Sequence, residues 1–319
     1  MNNMSSNNMS AEAASPNAVV VPKSVPTTKA TVATMTSRNR NRRLGLVISY
    51  AILIVAVLFA VYPVYFAFLV SIRPNGQLLS LNLIDMFIPS TGISFDSYNT
   101  VMFGKQPFFS WLGNSLFVAL STSLASVLIA TSAAYTISRL KFRGRNALLI
   151  MFLAIQAFPG VLALNAITNL LTRLGLYGNP LGLVLAYSAG TLVFSTWNLK
   201  GYFDTIPVEI EESALIDGCN TFQSFFLVLL PLSLPAIAIT AFFGFLAGWG
   251  EFALASAIIP APAARQTLPV ALQALANSTS VPWGLFAAAS MIVAIPTMIM
   301  FYLMQNNLQA GLTAGGVKG

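Results

Sequence analysis

Long apolar runs separated by short polar connections set the rhythm of this chain. Six runs lack any Asp, Glu, Lys or Arg: residues 44–72, 108–138, 147–172, 181–199, 222–250 and 283–305. Each reaches roughly the ~20 residues that a bilayer-crossing helix needs. The pattern therefore predicts an all-α, polytopic membrane protein with six transmembrane helices. Pro63, Pro159, Pro231, Pro235 and Pro296 fall inside these runs. Helices in lipid tolerate proline when neighbours satisfy the freed backbone groups. Pro231 and Pro235 stand early in the fifth run, where they are expected to bend or begin the span rather than break it at mid-depth.

The connections differ in kind. Residues 1–43 are rich in Asn, Ser, Thr, Ala and Pro, and end in the basic run Arg38, Arg40, Arg42 and Arg43. A secretory signal peptide would carry its charge near the start and a short apolar core. This stretch is read as a disordered basic tail, and residues 44–319 as one six-helix transmembrane domain with an uncleaved first span. Residues 73–107 and 251–282 form the longer loops on one side, 173–180 a tight connection, and 306–319 a C-terminal tail. With the N-terminus in the cytoplasm, 12 of the 16 Lys and Arg residues lie inside and 4 outside (Arg73, Lys105, Arg173 and Arg265). That imbalance follows the positive-inside rule, so both termini are expected in the cytoplasm.

Composition narrows the chemistry. With 56% hydrophobic and 8% charged residues in 319, a soluble surface cannot be built. The net charge of +7 sits beside membrane runs, which argues for topology and against nucleic acid. Histidine is absent and cysteine occurs once, at Cys219, so imidazole bases, internal disulfides and Cys/His metal sites are excluded. No Gly-x-x-x-x-Gly-Lys-Ser/Thr stretch is present for a phosphate loop. The reading is of a non-catalytic chain without metal or cofactor. An ion-coupled carrier would place ionisable groups inside its spans, and these spans have none. A purely structural membrane subunit stays open.

Five of the nine acids (Asp204, Glu209, Glu211, Glu212 and Asp217) gather in the connection 201–223. This loop reads as two short surface helices. Thr205 with Pro207 is a candidate helix start, Glu209, Glu211 and Glu212 suit the positive N-terminal end, and Asp217-Gly218 suits a C-terminal stop. Asn220 and Gln223 form a candidate capping box for the next helix. Ala214 and Gly218 share a face that another protein could approach, with Val208, Glu212 and Leu215 beside it. A solvated interfacial helix kept wet by its acids fits the same residues. Within the spans, Gln156, Asn165, Ser188, Thr191, Ser195 and Asn198 suit either the lining of a polar substrate path or interhelical hydrogen bonds, with the latter favoured.

Glu212-Ser213-Ala214-x-x-Asp217-Gly218, with Leu230-Pro231 and Pro235 downstream, resembles the EAA loop of binding-protein-dependent ABC importer permeases. Ser213 and Cys219 stand where the family has small alanines. Residues 197–207, 134–145 and Trp249-Gly250-Glu251-Phe252 are similar to carbohydrate permeases. Thr267-Leu268, Leu272-Gln273, Trp283-Gly284, 286–289 and the ending 311–319 are similar to the smaller membrane subunit of maltose/maltodextrin importers. The resemblance implies a type I importer permease fold and a coupling loop formed by Glu211, Glu212, Ser213, Ala214, Asp217 and Gly218. It also implies a binding-protein contact near Gln273, Asn277, Ser278, Thr279 and Ser280, and an ATPase contact at Gly315, Gly316 and Lys318. The implied partners are a second permease subunit in a heterodimer, two copies of a cytoplasmic ATPase, an extracytoplasmic sugar-binding protein and the lipid bilayer of the bacterial inner membrane. Maltose-type oligosaccharides are the implied cargo, with trehalose or another sugar as the alternative.

Overall fold

The computed structural model describes residues 28–74, 83–89, 92–157, 159–260, 262–277 and 281–316, and every regular element among them is helical. The chain divides into two units, residues 1–61 and 62–319. The first unit contains most of α1 (Thr28–Ser71). This helix starts well inside the segment 1–43 read as a structureless tail; the earlier part of that tail lies outside the described residues. The apolar side chains from Leu46 to Val61 are exposed, as expected of a helix whose neighbours are lipid or another chain.

The second unit is built on α3 (Phe108–Arg139), α6 (Pro180–Phe203), α10 (Leu234–Gly250) and α13 (Trp283–Gly316). Helix α3 packs on both α6 and α10, and α10 packs on α13. The reason is legible in the side chains: α3 buries Ser115, Ala119, Thr122, Ser123, Ser126, Ala130 and Ala134, nearly all of them small. Without a hydrophobic force between helices in lipid, close backbone approach and dispersion drive association. Helix α10 answers with Gly244 and Gly248. A Cβ built on Gly244 would stand 2.9 Å from the Ser123 Cα, and one on Gly248 2.7 Å from the Ala119 Cα. Polar groups join the same contacts. Ser123 Oγ donates to Ala241 O, Ser126 Oγ shares a hydrogen bond with Thr191 Oγ1, and Asn198 Nδ2 donates to Ala236 O and Thr240 Oγ1. Thr191 and Asn198 thus take the interhelical role favoured for them, while Gln156 and Asn165 are exposed.

Among the described residues, four helices are long and apolar enough to cross a membrane, or five if a bent pair counts as one span. The bent pair is the fifth run. Residues Thr221–Leu232 and Leu234–Gly250 meet at 79°, through α8 (Thr221–Ser224), a π turn (Phe225–Leu229) and α9 (Leu230–Leu232). Pro231 and Pro235 flank the corner, each removing a backbone donor, and the buried Ser233 hydroxyl donates back to Leu229 O at 2.7 Å. The expected bend is present. The third run, 147–172, is not one helix: α4 (Arg145–Gln156) and α5 (Leu164–Arg173) are separated by a short 3-10 turn, Gly160–Ala163. Pro159 lacks the N–H an unbroken helix would use there, and neither piece alone spans a bilayer. Helix α13 continues to Gly316, through most of the expected C-terminal tail.

The loop 251–282 carries α11 (Ala253–Ile258) and α12 (Leu268–Ala276). It is pinned to the start of α3: Trp111 Nε1 donates to Ala263 O at 2.8 Å, Asn114 Nδ2 to Ala264 O and Gln266 O, and Leu268 N to Ser115 Oγ. In the other long loop, α2 (Asp96–Phe103) rests against α13.

Candidate functional site

The surface helix at the other end of α3 is α7 (Val208–Ile216). Its start differs from the sequence expectation. Pro207 itself is the N-cap, with φ −55° and ψ 135°, and the Thr205 hydroxyl donates back to Tyr202 O. A residue preceding proline is pushed out of helical space, so Ile206 prevents an earlier start. The helix ends in a Schellman motif: Cys219 N donates to Ala214 O at 3.0 Å and Gly218 N to Leu215 O at 3.1 Å. Gly218 takes φ +94°, the left-handed position that favours glycine. The capping box follows as expected, with Asn220 and Gln223 exchanging hydrogen bonds of 2.9 Å.

Helix α7 has two unlike faces. Val208, Glu212, Leu215 and Ile216 are exposed, Ile216 by 86%. Ser213, whose hydroxyl donates to Glu209 O, and Asp217 and Gly218 are exposed as well. Glu211 and Ala214, expected on the docking face, are buried instead. Three-residue spacing places both on the side turned toward the spans. The Glu211 carboxylate accepts from Arg139 Nε at 2.5 Å, with both side chains only 9% exposed. Arg139 Nη2 also donates to Ile206 O at 3.0 Å. One guanidinium, at the last turn of α3, therefore ties down both the helix and its entry.

A second clasp lies beside the first. Ser138 Oγ donates to Asp204 Oδ1 at 2.6 Å, and Lys200 Nζ pairs with Asp204 Oδ2 at 2.5 Å. Burial alone would raise the Asp204 carboxyl, but the hydrogen bonds from Lys200 and Ser138 and the charges of Lys200 and Arg145 outweigh it and hold it below the usual carboxylate range. A carboxyl lowered on folding contributes stability that is present above its unfolded value of ~3.9 and lost as pH falls through the folded value. Asp204→Asn is accordingly expected to flatten the acid limb of the thermal-stability profile between about pH 5 and 2. A pH series of melting curves on the solubilised protein checks this; an unchanged acid limb in the variant would remove the clasp.

Near the opposite end of α6, a cavity of about 530 Å³ opens between α5, α6, α10 and α11, lined by Gly160, Tyr187, Thr191 and Glu251 among others. Tyr187 donates its hydroxyl to Glu251, whose carboxylate also accepts from Leu254 N and Ala255 N and so starts α11. The helix break at Gly160 borders this space, which fits the rule that irregular backbone at membrane depth lines a cavity. Sequence reasoning noticed Glu251 only within a motif; its capping role was not legible. Gln273 and Asn277 sit on one exposed edge of α12, with Gln273 Nε2 donating to Asn277 Oδ1. Ser278, Thr279 and Ser280 lie outside the described residues. Gly315 and Gly316 end α13, and Lys318 lies outside the described residues. Among the described residues no cluster of Asp, Glu and Cys could hold a metal.

Multiple apolar helices joined to a surface helix that is braced from within and exposed outward define a helical membrane protein. The comparisons give the class its family. The model described as "Binding-protein-dependent transport system inner membrane component" matches residues 126–313. The chain is 36% identical over 281 residues to the galactooligosaccharides transport system permease protein GanQ of Bacillus subtilis (strain 168), covering 87% of this chain and 97% of that protein. It is 36% identical over 293 residues to the maltose/maltodextrin transport system permease protein MalG of Yersinia pestis, covering 88% and 96%. In fold it is similar to a chain from the crystal structure of a bacterial ABC transporter involved in the import of the acidic polysaccharide alginate, with TM-score 0.72 and 22% identity over 84% of this chain and 98% of that one. The chain belongs to the family of binding-protein-dependent transport system inner membrane components, and is a multi-pass protein of the bacterial inner membrane.

Proposed function

We propose that this chain is one of two permease subunits of an ATP-driven importer for maltose- or maltodextrin-type oligosaccharides. A binding protein delivers the sugar and a separate pair of ATPase subunits supplies the energy. The observation that carries the reading is α7: Val208, Glu212, Leu215 and Ile216 face outward, while Glu211 is locked to Arg139 beneath them. That is the arrangement a coupling helix needs, with one face free for an ATPase cleft and the other fixed to the spans. The chain crosses the membrane six times with both termini in the cytoplasm; α4 and α5 together make the broken third pass. The distribution of Lys and Arg supports this orientation.

The mechanism is alternating access. ATP closes the ATPase pair, α7 moves with it, and Arg139 and Asp204 pass the movement to α3 and α6. The cavity beside Tyr187 and Glu251 then opens toward the sugar released by the binding protein at the 251–282 loop. Gln273 and the segment following Asn277 form the contact there, and Gly315, Gly316 and Lys318 approach the ATPases.

Reconstitution tests both levels. Glu212→Ala is expected to cut sugar uptake at least tenfold while the complex still hydrolyses ATP and melts as wild type. Gly218→Leu, at the φ +94° position, is expected to cut uptake as far with some loss of melting temperature from backbone strain. Normal uptake by both variants would remove α7 from the coupling path. ATPase stimulation by the sugar-loaded binding protein identifies the cargo: maltose and maltotriose are expected to stimulate. The similarity to a galactooligosaccharide permease makes galacto-oligosaccharide the second arm, and stimulation by that sugar alone would keep the mechanism and change the substrate.

A further inference from the structure

Lys141 and Arg143 follow directly on the end of α3, and both are exposed with no ion pair among the described residues. Among the described residues at this end, Arg139 pairs with Glu211 and Lys200 with Asp204, and Arg145 acts on Asp204 through its charge without an ion pair. The exposed acids Glu209, Glu212 and Asp217 are on or beside α7 and pair with neither. Two exposed cations with no ion pair among the described residues therefore stand just beyond Leu140, the C-cap of the span.

Leading to that point is an apolar groove between α3 and the π turn. It consists of two adjoining hollows of about 370 and 290 Å³ that share Ser132, Phe225 and Phe226. Leu128, Ser132, Thr136 and Leu140 form its α3 wall, one turn apart from one another. At 1.5 Å per residue this wall is about 18 Å long. One leaflet of a bilayer has a hydrocarbon depth of about 15 Å, half of ~30 Å. Phe226 is 54% exposed, so the groove is open along its side rather than closed over.

We infer that this groove and the pair Lys141–Arg143 form a binding site for an anionic phospholipid. The groove takes one acyl chain and the two cations take the headgroup phosphate. The match has two independent halves. Apolar length alone fits any annular lipid, and charge alone fits any anion, but a leaflet-deep slot that ends at Leu140, immediately before Lys141, fits a molecule carrying both. An anionic headgroup is selected over a zwitterionic one because each Lys or Arg near an anionic surface adds favourable energy that a neutral headgroup does not return. A seated chain would also fill the space between α3 and the corner at Pro231 and Leu234, both of which line the upper hollow. The lipid would thus brace the bent span that leaves the coupling loop.

Native mass spectrometry of the whole transporter, released from nanodiscs of equal phosphatidylglycerol and phosphatidylcholine, tests the site. The wild-type complex is expected to retain phosphatidylglycerol over phosphatidylcholine. Lys141→Gln with Arg143→Gln is expected to lower that preference roughly fivefold for each charge removed. These residues are exposed, so assembly should be unaffected, and Lys141→Arg with Arg143→Lys should keep the preference. Ser132→Trp, which fills the shared part of the groove, is expected to reduce retention of the same lipid with the charges intact. An unchanged preference in the Gln variant overturns the proposal. So does disulfide trapping of Ser132→Cys, in a Cys219→Ser background, by one of a series of cysteines introduced into the companion permease subunit, because the groove would then be filled by protein.

Discussion

Replacing Glu211 by alanine is expected to abolish coupled uptake and to lower the melting temperature of the assembled transporter, the two together. Removing one partner leaves Arg139 charged and buried, with side-chain exposure of only 9%. Breaking a buried pair in this way costs on the order of 3–5 kcal/mol. The loss is local, at the junction of α7 with α3, so hydrolysis should lose its grip on the spans even where the protein folds. Glu211→Gln keeps an acceptor for the guanidinium and should fall between the two. Arg139→Lys supplies charge without the fork that reaches both Glu211 and Ile206 O, and should resemble the alanine variant in uptake more than in stability. The contrast with Glu212→Ala is the informative comparison: the exposed neighbour should uncouple without destabilising. Melting curves and transport assays on the same preparations separate the two. A Glu211→Ala transporter that melts and transports as wild type would show that the pair holds nothing.

Gly248→Leu should have the second large effect, on assembly of the helical unit rather than on coupling. A Cβ at this position already stands 2.7 Å from the Ala119 Cα and 3.1 Å from Val118 O, both backbone atoms that cannot rotate aside. Overpacking typically costs about 1–3 kcal/mol, and here the obstacle is the main chain of α3, so the upper end or beyond is expected. The variant should accumulate poorly and melt well below wild type. Gly250→Leu, two residues on, has nothing within 4 Å of its Cβ and should be far milder. Ala119→Gly in the Gly248→Ala background is expected to recover little, because the new methyl meets the Cα and N of residue 119 and the Val118 carbonyl, which remain when the Ala119 side chain is removed. Equal expression and melting of Gly248→Leu and Gly250→Leu would contradict the close approach of α3 and α10.

Much of this architecture was legible because lipid simplifies the code. Uncharged runs give helices, and the bend at Pro231 and Pro235 and the stop at Gly218 follow from local backbone chemistry. The third run misled for the same reason that the others succeeded: absence of charge says nothing about continuity, and Pro159 with Gly160 stands among nineteen apolar neighbours. In the loop, the identity of the acids was visible but their direction was not. Glu211 and Glu212 are adjacent and identical, and only the phase of α7, set by Pro207, turns one inward and one outward. Arg139 was the available clue, a single cation closing an otherwise uncharged run. The four-residue spacing of Gly244 and Gly248 was readable too, though only the three-dimensional partner, the small face of α3, gives it meaning.

Helix α3 is fastened at both extremities. Trp111, Asn114 and Ser115 hold the 251–282 loop at its first turns, and Ser138 and Arg139 hold the approach to α7 at its last. Its 32 residues make a rod of about 48 Å. Such a rod works as a driveshaft: a twist imposed at one coupling arrives at the other in a single stroke, with no chain of intermediate parts to slip. In the proposed cycle, arrival of cargo outside and closure of the engine inside would be two hands on the same axle, each feeling the other's torque directly.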